Sequence, residues 1–131
     1  MTASAKPLLI CDCDEVLMHM VRHFRSWLDE AHGISFAIGG HDFMSASMTR
    51  ADGSRPTLEE TWELLGGFFP GEMHRQTAAP HAPEAIAAIA ATADVVILTN
   101  LGDHCRVPRE AQLAAIQACA CLLYTSDAAD E

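Results

Sequence analysis

Near its start the chain reads Pro7-Leu8-Leu9-Ile10-Cys11-Asp12-Cys13-Asp14-Glu15-Val16-Leu17, a short apolar run that ends in two carboxylates one residue apart. Because the run from Leu8 to Cys11 is continuously apolar, it predicts a parallel strand covered on both faces. Ligands of open α/β sheets bind at the carboxyl ends of strands, and Asp12 and Asp14 lie at this end of the predicted strand. Two carboxylates this close require a cation or a shared proton. The stretch therefore predicts a strand that presents reactive carboxylates at a sheet edge.

A second buried strand is predicted at Val95-Val96-Ile97-Leu98, and it ends in the polar pair Thr99-Asn100. Helical patterns lie before and after it. The alternation of strands and helices predicts an α/β fold with a parallel sheet. A parallel sheet of only two strands is too small to be a finished domain, so we expect the chain to be the front of a larger one.

Apolar residues at three- and four-residue spacing predict the helices of this fold. The first runs from Glu15 to His32, another begins at Pro83, and a further one runs from Pro108 to Cys119 with Leu113 and Ile116 facing inward. Pro83 is suited to a first helical position. These helices are the expected cover of the predicted sheet.

The middle of the chain predicts one further helix and less regular structure around it. Thr57 with Glu60 three residues later indicates a capped start, and Gly66-Gly67 indicates the end. This helix is expected to bury Leu58, Trp62 and Leu65. Before it, residues 34–38 are expected to form a short extended or loop segment, Met44 and Met48 to share a face of a short helix, and residues 51–56 to form a turn.

Length and composition limit the class of protein. The 131 residues suffice for about one domain of ordinary size. With 8 basic against 18 acidic residues the net charge is −10, which argues against nucleic acid as a partner. The sequence has neither an apolar stretch long enough for a membrane span nor a signal-peptide pattern, so we expect a cytoplasmic protein without a membrane partner. Five cysteines without framework spacing indicate reduced thiols.

The last eleven residues differ in origin from the rest. Residues 121–131, which begin at Cys121, resemble the translation of a transposase-type sequencing adapter in one reading frame. We therefore predict a non-native tail and leave it out of the predicted fold, with the natural sequence interrupted near Ala120. A natural acidic tail is the alternative.

The two polar strand ends together resemble a known family. Asp12-Cys13-Asp14-Glu15-Val16-Leu17 after an apolar strand, followed much later by the strand that ends in Thr99-Asn100, is similar to the first two motifs of the haloacid dehalogenase superfamily of phosphatases and phosphomutases. The resemblance implies the N-terminal part of a Rossmann-like parallel sheet with an inserted helical cap. The expected core comprises residues 1–14 and 79–120. The expected cap comprises residues 15–78 and closes over the site to exclude water.

The resemblance also implies roles for four residues. Asp12 is the nucleophile that attacks phosphorus, Asp14 is the general acid and base, and Thr99 binds the phosphoryl group with Asn100 in the adjoining loop. Mg²⁺ is held by an Asp12 carboxylate oxygen and the Asp14 backbone carbonyl. The residue chemistry agrees, because a carboxylate needs no base to attack phosphorus once the phosphate charge is neutralised. The expected activity is Mg²⁺-dependent hydrolysis of a small phosphate ester through an aspartyl-phosphate.

Two later motifs of the superfamily are missing from this sequence. They are a lysine or arginine that steadies the phosphoryl charge and an acidic pair that completes the metal site. We therefore expect a full-length parent to be the enzyme and this chain alone to be inactive. A phosphomutase of the same superfamily and a non-catalytic fragment or binding domain are the alternatives. A dehalogenase is less favoured, because phosphoryl-transfer members carry a carboxylate at the Asp14 position.

Three other pairs have both a functional and an ordinary interpretation: His19 with His23, Cys11 with Cys13, and Arg22 with Arg25. The histidines have the spacing of zinc ligands on a helix but lack the intervening glutamate of metalloproteases. The cysteines are one residue apart, whereas redox and metal pairs usually have two residues between them. The arginines reach a substrate anion from the cap or lie in solvent. The alternative for the histidines is an ordinary helix face, and the alternative for the cysteines is a pair of small buried thiols.

Overall fold

The computed structural model describes residues 5–37 and 47–116, together with the backbone of residues 121–124. Contacts divide the chain into two compact units. We call Met1–Met20 with Met73–Glu131 the sheet unit, and Val21–Glu72 the helix-hairpin unit.

The sheet unit is built on three parallel strands. They are β1 (Leu8–Asp12), β4 (Asp94–Thr99) and β5 (Cys121–Tyr124), in the order β1-β4-β5. In the register of β1 and β4, Leu8 lies opposite Asp94 and Asp12 lies opposite Leu98. The fold is thus mixed α/β with a small parallel sheet, and the predicted class is confirmed at this level.

Two helices of the sheet unit cover a single face of this sheet. They are α3 (Ala82–Ala90) and α4 (Arg106–Ala115), and the core joins their residues to alternate residues of β4. Ile86 of α3 and Leu113 of α4 pack in one cluster with Val95 and Ile97. Because the strand order advances in one direction, right-handed crossovers place consecutive helices on the same side.

The prediction that β1 is covered on both faces is wrong for this chain. Leu8 and Ile10 are 59% and 58% exposed, whereas Leu9 and Cys11 between them pack against the core. The reason is the one-sided placement of α3 and α4, because alternate side chains of a strand point to opposite faces. The exclusion of residues 121–131 from the fold is also corrected in part, since the backbone of β5 pairs with β4. The resemblance of that segment to an adapter stays a prediction.

The first helix begins later than predicted. Helix α1 spans Met20–His32, and the expected start at Glu15 instead lies in a tight turn. Glu15 has φ of 62°, and the amides of Val16, Leu17 and Met18 all donate to the carbonyl of Cys13. A non-glycine residue in the left-handed region interrupts a helix, so the chain completes this turn before α1 can begin.

The helix-hairpin unit is formed by α1 after its first residue, the antiparallel strands β2 (Ile34–Ala37) and β3 (Ser47–Arg50), and α2 (Leu58–Glu72). Its core is aromatic. Phe24 has no exposed surface, and its ring centroid lies 5.0 Å from that of Phe68 and 5.6 Å from that of Phe36. The extended segment at residue 34 and the turn after residue 50 are confirmed. Met48 lies in a strand rather than the predicted helix, and Met44 lies outside the described residues.

Helix α2 begins as predicted and ends later. The amide of Glu60 donates to Oγ1 of Thr57 at 3.1 Å, which caps the start. The helix continues through Gly66-Gly67 and Pro70 to Glu72, where a buried Phe68 outweighs the poor helix propensity of the glycines.

The buried face of α2 also differs in part from the prediction. Leu65 is buried as expected, but Leu58 and Trp62 are exposed. Phe68 lies six positions after Trp62, which places the two side chains about 120° apart around the helix axis. The packed aromatic face therefore turns Trp62 towards solvent, and Leu58 lies at the first turn, before the packed part of the helix.

A short 3-10 turn at Met73–Arg75 follows α2, and a second one at Asp103–Cys105 precedes α4. Helix α4 begins before the expected Pro108. The predicted end of that helix at Cys119 lies outside the described residues. Within the described ranges, no helix is long and apolar enough to cross a bilayer.

Candidate active site at the carboxyl edge of the sheet

The carboxyl ends of β1 and β4 place two predicted site residues at one edge of the sheet. Asp12 is the last residue of β1 and lies opposite Leu98, so Thr99 ends β4 one position further along. Asp12 is exposed, whereas Thr99 is 1% exposed on the side of the core. Asn100 follows Thr99 at the exposed end of the strand. Strand pairing thus brings Asp12 and Thr99 to the same edge, although their side chains emerge from opposite faces of the sheet.

The Asp12 carboxylate is held by its own backbone and otherwise faces outward. Its Oδ1 accepts a hydrogen bond from the amide of Cys13 at 2.7 Å. The Cys13 carbonyl accepts hydrogen bonds from the amides of Val16, Leu17 and Met18, which form the turn after β1. These bonds fix the backbone immediately after β1 and hold the carboxylate in an orientation that a solvent-borne ligand can reach.

Asp14 lies in that turn and has a different environment from Asp12. Its side chain is 23% exposed and both of its carboxylate oxygens accept hydrogen bonds from Nη2 of Arg109, at 2.9 Å to Oδ1 and 2.7 Å to Oδ2. Arg109, on α4, has no exposed surface. The two carboxylates of the motif are therefore distinguished, because one is exposed and the other is paired inside the unit.

A buried amide network anchors this ion pair. Nη1 of Arg109 donates to Oε1 of Gln112 at 2.5 Å, one helical turn along α4. Nε2 of Gln112 donates to the carbonyl of Met73 at 3.0 Å and to Oε1 of Gln76 at 3.2 Å. The network joins α4, the 3-10 turn after α2 and the loop after β1, so the position of the Asp14 carboxylate depends on three separate segments.

Burial governs the ionisation of the groups around the motif. It raises the pKa of Asp14 above its ordinary value, while the Arg109 guanidinium opposes this and the charge of Asp12 adds to it. Burial raises the pKa of Cys13 to about 12, and it also raises the pKa of Cys105 and that of Cys11. A thiol with a raised pKa carries little thiolate at neutral pH, so these cysteines are poor nucleophiles beside an exposed carboxylate.

The residues present suit a divalent cation only in part. Asp12 offers an exposed carboxylate, and Mg²⁺ typically binds one or two carboxylates while retaining several waters. The Asp14 carboxylate is occupied by Arg109. Across the part of the chain that the structure describes, no group of three or more His, Cys, Asp or Glu side chains is placed to hold a metal ion. The fit to Mg²⁺ therefore depends on Asp12 and on backbone oxygens.

The other pairs singled out from the sequence lie as follows. Nε2 of His23 lies 4.0 Å from a carboxylate oxygen of Glu72, within the helix-hairpin unit. Arg22 and Arg25 are exposed on α1. Cys11 is partly buried. None of these observations adds a ligand to Asp12.

Sequence reasoning missed Arg109 and Gln112. One signal was present, because Arg109 lies four residues before Leu113 and Gln112 lies four residues before Ile116, the spacing that predicted the inward face of α4. A charged residue on such a face is ordinarily assigned to solvent, since arginine is rarely fully buried unless it is paired. Its partner, Asp14, lies too far away in the chain for local periodicity to identify.

Comparison with known proteins does not assign the chain to a family. It matches no protein-family model, and no curated protein is significantly similar to it.

Proposed function

We propose that the chain carries the nucleophile and phosphate-binding strand ends of a Mg²⁺-dependent phosphohydrolase of the haloacid dehalogenase type, which acts on a small phosphate ester. The observation that supports this most is the exposed Asp12 carboxylate at the end of β1, at the same sheet edge as Thr99 at the end of β4. Ligand binding at the carboxyl edge of a parallel sheet is the general rule for such folds.

In this proposal Asp12 supplies the nucleophile. One carboxylate oxygen attacks phosphorus, the ester oxygen leaves, and water then hydrolyses the aspartyl-phosphate to release inorganic phosphate. By the resemblance, Thr99 and Asn100 bind the phosphoryl oxygens and Asp14 donates and accepts the proton. These roles require that Thr99, which is 1% exposed, present its hydroxyl at the sheet edge and that the Asp14 carboxylate leave Arg109 during the reaction. An Asp12 oxygen and, by resemblance, the Asp14 backbone carbonyl would hold Mg²⁺, which would supply positive charge to neutralise the phosphate. Residues 1–14 and 79–120 remain the proposed core, and residues 15–78 remain the proposed cap.

A second candidate is a phosphate-binding domain without turnover. The observation that favours it is the ion pair of Asp14 with Arg109, because a carboxylate with both oxygens engaged by a guanidinium is a poor proton donor. A phosphomutase of the same superfamily uses the same strand ends and differs in the acceptor of the phosphoryl group.

The test is to trap the aspartyl-phosphate on the full chain. The protein is incubated with Mg²⁺ and acetyl phosphate, reduced with borohydride, and mapped by mass spectrometry. Because this chain lacks the motifs expected to complete turnover, the assay follows only the formation of the aspartyl-phosphate, and we expect stoichiometric rather than catalytic modification of residue 12 in the wild type and none in Asp12→Asn. Inorganic phosphate binding, followed by ³¹P NMR, is expected to weaken in Thr99→Val and to persist in Thr99→Ser, which retains the hydroxyl.

The outcomes separate the candidates. Phosphate binding that depends on Thr99 without modification of Asp12 supports the binding domain and contradicts the hydrolase. Modification that persists in Asp12→Asn removes Asp12 as the nucleophile. Absence of both phosphate binding and phosphoryl transfer contradicts both candidates.

A further inference from the structure

A cavity of about 440 Å³ lies within the helix-hairpin unit, and its lining includes none of the residues assigned to the proposed hydrolase. Both helices and both strands of the unit contribute to this lining. The volume falls within the range of about 300 to 1,000 Å³ that is typical of small-molecule sites. Such sites combine apolar walls with a few polar groups that select the ligand. The side chains of the lining therefore indicate what this cavity can bind.

Trp27 and His32 supply the aromatic part of the lining. The ring of Trp27 lies at a centroid distance of 6.1 Å from Phe24 and 5.5 Å from Phe68. The ring of His32 contacts the indole at a centroid distance of 4.7 Å and an interplanar angle of 73°. Because three rings pack around it, the indole is a fixed aromatic surface. Among aromatic side chains, the indole of tryptophan attracts cations most strongly.

The charged residues of the lining leave one carboxylate uncompensated. Nη2 of Arg50 donates to the carboxylate of Glu60, so these two charges neutralise each other. Glu63 follows on the next turn of α2 and is exposed, and within the described ranges no hydrogen bond or ion pair engages its side chain. A cavity with an occupied guanidinium and an unpaired carboxylate has negative potential, which attracts a cation and repels an anion.

Gly67 leaves the indole accessible from the cavity. It lies inside α2, although glycine is among the poorest helix formers. A Cβ at this position would lie 4.0 Å from Cη2 of Trp27, which is an ordinary contact distance, so close packing does not require a glycine here. A longer side chain would extend over the indole and occupy the cavity. The absence of a side chain at Gly67 is thus explained by the open space beside Trp27.

We propose that this cavity binds a small organic cation, an ammonium group attached to an apolar or aromatic body. The carboxylate of Glu63 and the indole of Trp27 bind the ammonium group, and the body packs against Ile34 and Leu64. This inference goes beyond the proposed function, because the site involves neither the strand ends nor a phosphate group.

The test is titration calorimetry of the full chain with three probes that share one aromatic body: phenethylammonium, phenethyl alcohol and phenylacetate. We expect phenethylammonium to bind about tenfold more tightly than the neutral alcohol, since a hydrogen bond to a charged group exceeds a neutral one by about that factor. Phenylacetate is expected not to bind. In a Trp62→Phe background Trp27 is the sole tryptophan, and its fluorescence is expected to change with the same affinity for phenethylammonium.

Two matched pairs of variants locate the binding site. Glu63→Gln is expected to weaken phenethylammonium binding by about tenfold. Glu59→Gln removes an exposed carboxylate from the same helix but outside the lining, and it is expected to leave the affinity unchanged. Gly67→Leu is expected to abolish binding, because the new side chain fills the space beside the indole. Gly66→Leu improves helix propensity equally, does not touch the cavity, and is expected to bind as the wild type.

The contradictory outcomes concern either the ligand class or the place. Equal affinity for phenethylammonium and phenethyl alcohol, or tighter binding of phenylacetate, overturns the assignment to a cation. Binding that survives Gly67→Leu, or that Glu59→Gln weakens as much as Glu63→Gln does, overturns the assignment to this cavity. Absence of saturable binding by every probe overturns both. Circular dichroism shows whether each variant is folded; if Gly67→Leu is not, the Glu63 and Glu59 variants decide.

Discussion

Arg109 and Asp14 lie 95 residues apart in the chain and form an ion pair in which Nη2 of the arginine donates to both carboxylate oxygens. The pair joins α4 to the turn after β1. Arg109 has no exposed surface, so either charge without the other is left largely desolvated. Buried ion pairs add little net stability over an apolar replacement, but the loss of one partner is strongly destabilising.

Replacement of Arg109 by methionine is expected to lower the free energy of unfolding by about 3 kcal/mol, because the Asp14 carboxylate, 23% exposed, then remains largely desolvated and uncompensated. Urea denaturation at pH 7 measures the change. The double variant Arg109→Met with Asp14→Asn is expected to lose less stability than the two single variants lose together, because neither charge is then left unpaired in the interior.

The matched control is Arg106→Met on the same helix. Arg106 is exposed and its ion pair with Asp103, at 3.8 Å, is a surface pair, so we expect a change within about 0.5 kcal/mol. Equal stability of the Arg106 and Arg109 variants would contradict a special role for the buried pair.

The aromatic core of the helix-hairpin unit predicts a contrast between two large side chains. Phe24→Ala is expected to cost about 3 to 5 kcal/mol, because a fully buried ring is replaced by a cavity. Trp62→Ala is expected to change stability by less than about 0.5 kcal/mol, because Trp62 is 57% exposed. Thermal or urea unfolding of the two variants measures the contrast, and comparable losses would place Trp62 in the core.

The pair of Arg50 and Glu60 predicts a pH-dependent difference in stability. The hydrogen bond from Arg50 holds the pKa of Glu60 below its ordinary value of 4.5. A carboxylate whose pKa is lowered in the folded state stabilises the fold above its unfolded pKa, and the effect is lost as the pH falls through the folded one. Glu60→Gln is therefore expected to be less stable than the wild type at pH 7, and the difference is expected to disappear as the pH falls through the lowered pKa of Glu60 in the folded protein.

Urea midpoints of both proteins between pH 3 and pH 7 measure this dependence. Glu59→Gln removes a charge from the same helical turn, and we expect its stability difference from the wild type to vary much less with pH. A constant difference for Glu60→Gln across the range would show that the Arg50 pair contributes nothing in solution.

The exposed face of β1 predicts self-association. Leu8 and Ile10 are adjacent on that face, and contiguous exposed apolar side chains favour association. The double variant Leu8→Thr with Ile10→Thr is expected to reduce association in sedimentation experiments without lowering the urea midpoint. Leu9→Thr, on the core face of the same strand, is expected to lower that midpoint and serves as the control. Association that persists in the double variant would assign it to another surface.

Local pattern was sufficient for much of the fold. The apolar runs at residues 8–11 and 95–98 form the two paired strands, and the Thr57–Glu60 signal marks the start of α2. Such features depend on neighbours within a few residues, so periodicity and capping chemistry indicate them directly. The prediction that the first helix begins at Glu15 is wrong, and the cause is also local. Glu15 has left-handed backbone, and the amides that follow it all donate to the carbonyl of Cys13. Apolar periodicity does not reveal a turn of this kind.

The sequence by itself determined that two strands end in polar residues and that Asp12 and Asp14 follow the first of them. Only the tertiary structure decided that these carboxylates differ. Burial and Arg109 act on Asp14 through a contact that spans most of the chain, while the one-sided placement of helices leaves Leu8 and Ile10 exposed. Charge compensation and burial depend on which segments meet in space, and that information is contained in no local stretch of the sequence.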